Sequence, residues 1–79
     1  MSDKKVVIYS TPTCPICKRA KAYFTEKGIF YHEIDVAASR DAAREMIKKS
    51  GQMGVPVIFV DDEMLIGFNQ PEFDKLLAS

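Results

Sequence analysis

Two cysteines stand two residues apart in Ser10-Thr11-Pro12-Thr13-Cys14-Pro15-Ile16-Cys17-Lys18, and the 79-residue sequence holds no others. A disulfide between them would close so small a loop that it restrains the unfolded chain little, which makes the pair a poor structural staple. Zinc takes four ligands, and two cysteines with His32, the single histidine, fall one short, so a metal or iron–sulfur site would need a dimer or an outside thiol. Thiol–disulfide exchange needs two cysteines and nothing more. One thiolate attacks a disulfide sulfur to give a mixed disulfide, and the second thiol, one helical turn away, displaces the substrate.

That chemistry depends on where the pair lies. Lys5-Val6-Val7-Ile8-Tyr9 is a β-branched run that stops at Ser10-Thr11-Pro12, which predicts a buried strand and then a loop. From Pro15 the residues Ile16, Cys17, Ala20, Tyr23 and Phe24 recur at helical spacing, and Gly28 supplies the stop. Cys14 therefore falls at a helix start, where free backbone N–H groups and the helix dipole favour a thiolate. Cys17 falls one turn inside, on the apolar side. Pro15 costs no hydrogen bond in the first turn and stiffens it. Lys18, Arg19 and Lys21 add positive potential and read as the solvated face of this helix.

The remaining elements follow from similar signals. Ile29 to Val36 is a second strand candidate that carries His32 as a partly exposed residue. Ser39 caps a helix with Ala43, Met46, Ile47 and Ser50 as its inner face and Gly51 as its end. Val57-Ile58-Phe59-Val60, a turn at Asp61-Asp62-Glu63, and Met64-Leu65-Ile66-Gly67 make a hairpin. Asn69, Pro71 and Glu72 open a last helix with Phe73, Leu76 and Leu77 inward. The order is βαβαββα, and its first three elements form a βαβ unit with parallel strands.

Lysine plus arginine equals aspartate plus glutamate at 11 each, so overall charge favours neither nucleic acid nor an anionic membrane as partner. No apolar run approaches the roughly 18 residues that cross a bilayer, and a polar Ser2-Asp3-Lys4-Lys5 follows Met1. The sequence therefore predicts a cytoplasmic protein with room for one small core. No Ser-His-Asp pattern, phosphate-binding glycine loop or carboxylate pair competes with the cysteines. Gly54-Val55-Pro56 precedes the third strand, a place where an ordinary trans proline can open an edge strand.

With V-V-I-Y-S-T-P-T-C-P-I-C-K-R-A-K, then G-V-P-V-I-F-V and G-F-N, the chain resembles the glutaredoxins over nearly all its length. The resemblance implies the α/β thioredoxin fold, a four-stranded mixed sheet flanked by three helices, with residues 1–79 as one domain. It implies that Cys14 is the nucleophile and Cys17 the resolving thiol, and that Val55-Pro56 is cis and faces them. The Val55 backbone would then pair with the peptide part of a bound thiol substrate. Pro15, Ile16, Gly54, Pro56 and Gly67 complete the expected substrate surface. No tightly bound cofactor is implied; glutathione is the expected co-substrate, disulfide-containing proteins are the expected targets, and the expected state is a monomer.

The chain departs from the family pattern where glutathione is held. A lysine three residues before the first cysteine, a tyrosine inside C-P-Y-C and Gly-Gly followed by aspartate are here Thr11, Ile16, Gly67-Phe68 and Asn69. Gln52 matches a position that can hold the glycine carboxylate, and Asn69 can accept from the γ-glutamyl ammonium, without the charges that strengthen both contacts. Gly67-Phe68 also resembles the redoxins that are reduced by thioredoxin reductase and feed ribonucleotide reductase. Phe68 alternatively reads as a plain hydrophobic plug ahead of the last helix. Two further readings are a glutathione-dependent iron–sulfur or metal carrier and a redox sensor without turnover.

Overall fold

The computed structural model describes residues 5–52, 54 and 56–78. Its elements are β1 (Val6–Ser10), α1 (Pro15–Glu26), β2 (Tyr31–Asp35), α2 (Arg40–Ser50), β3 (Val57–Val60), β4 (Glu63–Ile66) and α3 (Gln70–Ala78). The strands form one mixed sheet in the order β2-β1-β3-β4. β1 runs parallel to β2, with Val6 opposite Tyr31 and Ser10 opposite Asp35, and antiparallel to β3, with Val6 opposite Val60. The βαβ unit and the C-terminal hairpin therefore share β1 and β3 as the sheet centre.

Alternation along the central strands divides the core into two layers. Val6 and Ile8 of β1 and Ile58 and Val60 of β3 pack with Ala20 and Phe24 of α1 and Phe73 of α3. Tyr9 and Val57 face the other way and pack with Met46 of α2, with Val7, Ile34, Val36 and Phe59 around them. The central strands are apolar on both faces because helices cover both, which is why they read as continuous β-branched runs.

Each helix start has a side-chain acceptor. Ser39 Oγ accepts from the Ala42 N–H at 3.2 Å, and Asn69 Oδ1 accepts from the Glu72 N–H at 3.3 Å. α2 ends at Gly51, whose φ of 72° lies in the left-handed region that glycine enters without steric cost.

Two boundaries and one helix facing differ from the sequence expectation. β2 is shorter than the span from Ile29 to Val36, and Phe30 before it is exposed. The hairpin turn is tighter: Glu63 pairs with Val60, so only Asp61 and Asp62 form the turn. Asp61 takes a φ of 54° there, and its carboxylate Oδ1 accepts from the Lys5 N–H at 2.8 Å while its own N–H donates to the Lys5 carbonyl at 2.8 Å. Ile47, expected on the inner face of α2, is 37% exposed; one helical step past the fully buried Met46 rotates it to the edge of the contact.

Candidate active site

The loop between β1 and α1 carries the cysteines to the carboxyl end of β1, beside the start of the antiparallel β3. The Cys14 N–H donates to the Thr11 carbonyl at 3.3 Å, which folds the loop back before the helix starts. Cys14 itself is the N-cap of α1, with extended backbone, and its sulfur accepts from the Cys17 N–H at 3.1 Å. Pro15 follows at the first helical position. The charge-stabilising place that the sequence predicts for Cys14 is thus occupied by its sulfur, in the role usually filled by a serine or aspartate oxygen.

The two thiols differ in environment. Cys14 is 9% exposed and lies beside Ile16, a large apolar side chain 48% exposed, whereas Cys17 has no exposure and joins Ala20 and Phe24 on the buried stripe of α1. Burial pushes the Cys17 thiol up to about 12, with the hydrogen bond to Cys14 and the Cys14 charge acting in the same direction. A hydrogen bond from the Thr11 backbone and the charge of Lys21 oppose that rise. Cys17 thus stays a thiol until something lowers the cost of losing its proton.

The structure brings several of the other expected residues near this end of the sheet. Pro56 is buried ahead of β3, and its carbonyl accepts from the Gly67 N–H at 2.9 Å, which ties the start of β3 to the end of β4. Gly67 has a φ of 79°. Gln52 and Gly54 are exposed, and the Gln52 N–H donates to Ser50 Oγ at 3.1 Å. Val55, and with it the expected cis bond to Pro56, lies outside the described residues.

Phe68 is partly buried in the core, with its ring 5.6 Å from Tyr23 and 6.1 Å from Phe24, which is the plug arrangement. The Asn69 carboxamide oxygen is engaged as the α3 cap. Among the described residues no group of three or more His, Cys, Asp or Glu side chains could hold a metal ion, and His32 is exposed on β2, with its ring 5.6 Å from Phe30.

One group near the dithiol departs from the sequence expectation. Lys21, expected on the solvated face, is only 24% exposed and its ammonium lies 2.6 Å from Glu33 Oε2. The same carboxylate oxygen accepts from the hydroxyl of Ser10, a buried residue at the end of β1, at 2.9 Å. Glu33 is consequently held below the usual carboxylate range, by the Lys21 hydrogen bond first and that of Ser10 second, and Lys21 is raised above the usual lysine range by Glu33. Helical spacing places Lys21 one turn below Cys17, but the meeting with Glu33 and Ser10 follows from the β1–β2 register, which no local pattern reveals.

A family model described as glutaredoxin matches residues 6–65, from β1 into β4 and so through the cysteine loop. The chain belongs to the glutaredoxin family. It is 46% identical over 72 residues to an uncharacterized glutaredoxin-like 8.6 kDa protein in the rubredoxin operon of Clostridium pasteurianum, a match covering 91% of this chain and 96% of that one. It is 42% identical over 62 residues to glutaredoxin 3 of Escherichia coli, covering 78% and 75%. Among solved structures, the glutaredoxin-like NrdH-redoxin of Escherichia coli superposes with a TM-score of 0.79 at 24% identity, over 91% of this chain and 93% of that one, a likeness of fold. The thioredoxin fold expected from the sequence is the fold of this chain, and membership of the family makes it a thiol redox protein with a cysteine pair.

Proposed function

We propose that this chain is a dithiol oxidoreductase that reduces protein disulfides and glutathione mixed disulfides, with Cys14 as nucleophile and Cys17 as resolving thiol. The observation that carries the reading is the asymmetry of the pair: one sulfur caps a helix and accepts a backbone N–H, while the other is fully buried one turn inside. In the first step the Cys14 thiolate attacks the substrate disulfide, a Cys14–substrate S–S bond forms, and one substrate thiolate leaves. In the second, Cys17 sheds its proton and attacks the Cys14 sulfur. The Cys14–Cys17 disulfide forms, and the second substrate thiolate leaves and takes up a proton from solvent.

We assign the substrate surface to the exposed Pro15 and Ile16 next to Cys14, together with the exposed Gly54 and the buried Pro56 at the start of β3. Val55 is assigned to pair its backbone with that substrate, and Thr11, Gln52, Gly67, Phe68 and Asn69 flank the surface. We assign the protein to the cytoplasm as a monomer of one domain, with glutathione as co-substrate and no resident cofactor. In the described residues no helix is long and apolar enough to cross a membrane.

A second reading concerns the reductant. The Asn69 oxygen is engaged at the α3 cap and Thr11 carries no charge, so the two ends of glutathione meet weaker partners here than charged side chains would give. Thioredoxin reductase is then the alternative donor, and ribonucleotide reductase or another enzyme the acceptor. The test offers oxidised protein either glutathione with its reductase or thioredoxin reductase, each with NADPH, and follows NADPH consumption. Turnover in one arm identifies the donor, and none in either arm, for a protein that accepts no electrons from a chemical dithiol, overturns the oxidoreductase reading. Cys14→Ser is expected to abolish turnover. Cys17→Ser is expected to trap the substrate thiol on Cys14, visible as added mass under non-reducing conditions.

A further inference from the structure

Resolution of the mixed disulfide requires the less accessible sulfur of the pair to become a nucleophile. Cys17 is fully buried, and the hydrogen bond its N–H gives to Cys14 is spent on the other sulfur. What remains near it to favour a negative charge is limited. On α1 Cys17 interacts electrostatically with Cys14 and Lys21, and the loop before α1 contributes the Thr11 backbone; Glu33 and Tyr31 of β2 act on Lys21 in turn. Lys21 is the only cation among these.

Its placement is fixed from three elements. Lys21 lies four positions after Cys17, so the two lie one above the other on α1. Glu33 of β2 holds the ammonium at 2.6 Å, and the buried Ser10 hydroxyl of β1 fixes the carboxylate at 2.9 Å. Two anchored hydrogen bonds restrict the long lysine side chain that would otherwise sample solvent freely. The same carboxylate also opposes the lysine charge, so the pair presents a balance of charge to the sulfur.

We propose, resting on the dithiol reading above, that Lys21 is a positioning residue acting through Cys17: its ammonium stabilises the thiolate that resolves the mixed disulfide, and Glu33 limits that effect. Lys21 takes no part in the first step, in which Cys14 is the attacking sulfur and the N-terminus of α1 supplies the stabilisation. Its contribution begins when the Cys17 proton leaves to solvent and a negative charge appears inside the first turns of α1. Mutual attraction between that sulfur and the Lys21 ammonium lowers one titration and raises the other, in keeping with this arrangement.

The two steps can be read in one trace. Reduced protein is mixed in a stopped-flow instrument with a slight excess of an aromatic disulfide whose released arylthiolate absorbs visible light. Attack by Cys14 releases one equivalent, and attack by Cys17 on the resulting mixed disulfide releases the second. Lys21→Met is expected to leave the first phase within twofold of the parent and to slow the second by roughly three- to tenfold, since an opposite charge nearby shifts a titration by about one unit or more. Lys21→Arg is expected to restore the second phase.

Glu33→Gln separates charge from structure, because it weakens the same ion pair while leaving the ammonium in place without its counter-charge. It is expected to speed the second phase. A Glu33→Gln rate at or below that of the parent makes the pair a brace and overturns the proposal, as does a Lys21→Met protein that slows both phases or neither. A parent that releases fewer than two equivalents overturns the dithiol reading itself, a failure visible before any variant is compared.

Discussion

At the scale of single residues, two sulfurs of identical chemistry are made unequal by one helical turn. Cys14 replaces the oxygen of an ordinary N-cap, and Cys17 replaces an aliphatic residue of the core. The second replacement has a consequence for stability. In the folded protein burial raises the Cys17 thiol from its ordinary 9.0 to about 12, so the folded state binds this proton more tightly than the unfolded chain does. The stabilisation is complete below about pH 9 and is lost progressively as pH climbs from there toward 12, with a limiting slope of about 1.4 kcal/mol per pH unit. Reduced parent and Cys17→Ser compared by urea denaturation from pH 7 to pH 10.5 should therefore diverge above pH 9, the parent falling more steeply. Parallel curves across that range would show that Cys17 titrates normally. The oxidised protein has no thiol to ionise and should follow the flatter curve.

At the scale of elements, the residues that announced each helix are the ones that terminate its hydrogen bonding. Ser39 and Asn69 cap α2 and α3, and Gly51 closes α2 in the left-handed region, so these boundaries were legible from local chemistry. The thioredoxin-type order and the dithiol were legible for the same reason: strand runs, caps and the cysteine spacing are all short-range signals. What escaped the sequence depends on register and rotation. Whether Ile47 or Met46 points inward is decided by how α2 sits on Tyr9 and Val57, and whether Lys21 is solvated is decided by which β2 side chain the register brings within reach of both Lys21 and Ser10. The two-residue turn at Asp61 likewise needs the backbone partner at Lys5, 56 residues away. Because the Ser39 cap is local to α2, which packs on the opposite face of the sheet from α1, its loss should be separable from the chemistry. Ser39→Ala should lower unfolding free energy by about 1 kcal/mol, read from denaturant midpoints, while arylthiolate release by Cys14 stays at the parent rate. A change in that rate would mean that α2 is coupled to the dithiol loop.

At the scale of the whole molecule, reactivity and folding are carried by one stripe of one helix. Cys17, Ala20 and Phe24 lie along the buried side of α1, so the helix that presents Cys14 is anchored by the same face that buries its partner. Phe24 is the hub. Its ring lies 5.1 Å from Tyr31 of β2, 4.8 Å from Phe73 of α3 and 6.1 Å from Phe68 ahead of α3, and it has no exposed surface. This aromatic cluster joins the βαβ unit to the C-terminal hairpin and helix, which otherwise meet through β1 and β3. A domain of this size has a total stability of about 4 to 12 kcal/mol, and truncating a buried phenylalanine to alanine costs about 3 to 5 kcal/mol. Phe24→Ala should therefore lose a quarter or more of the stability and, toward the lower end of the range, leave much of the protein unfolded at 37 °C. Phe24→Leu keeps most of the apolar volume and should lose less than half as much, with Cys14 still reacting at the parent rate in the folded fraction. Urea titrations of the three proteins, with the arylthiolate trace recorded on each, decide the matter. A Phe24→Ala loss below about 1 kcal/mol would place the structural centre of the molecule elsewhere than in the ring cluster, and leave the two halves joined by the sheet alone.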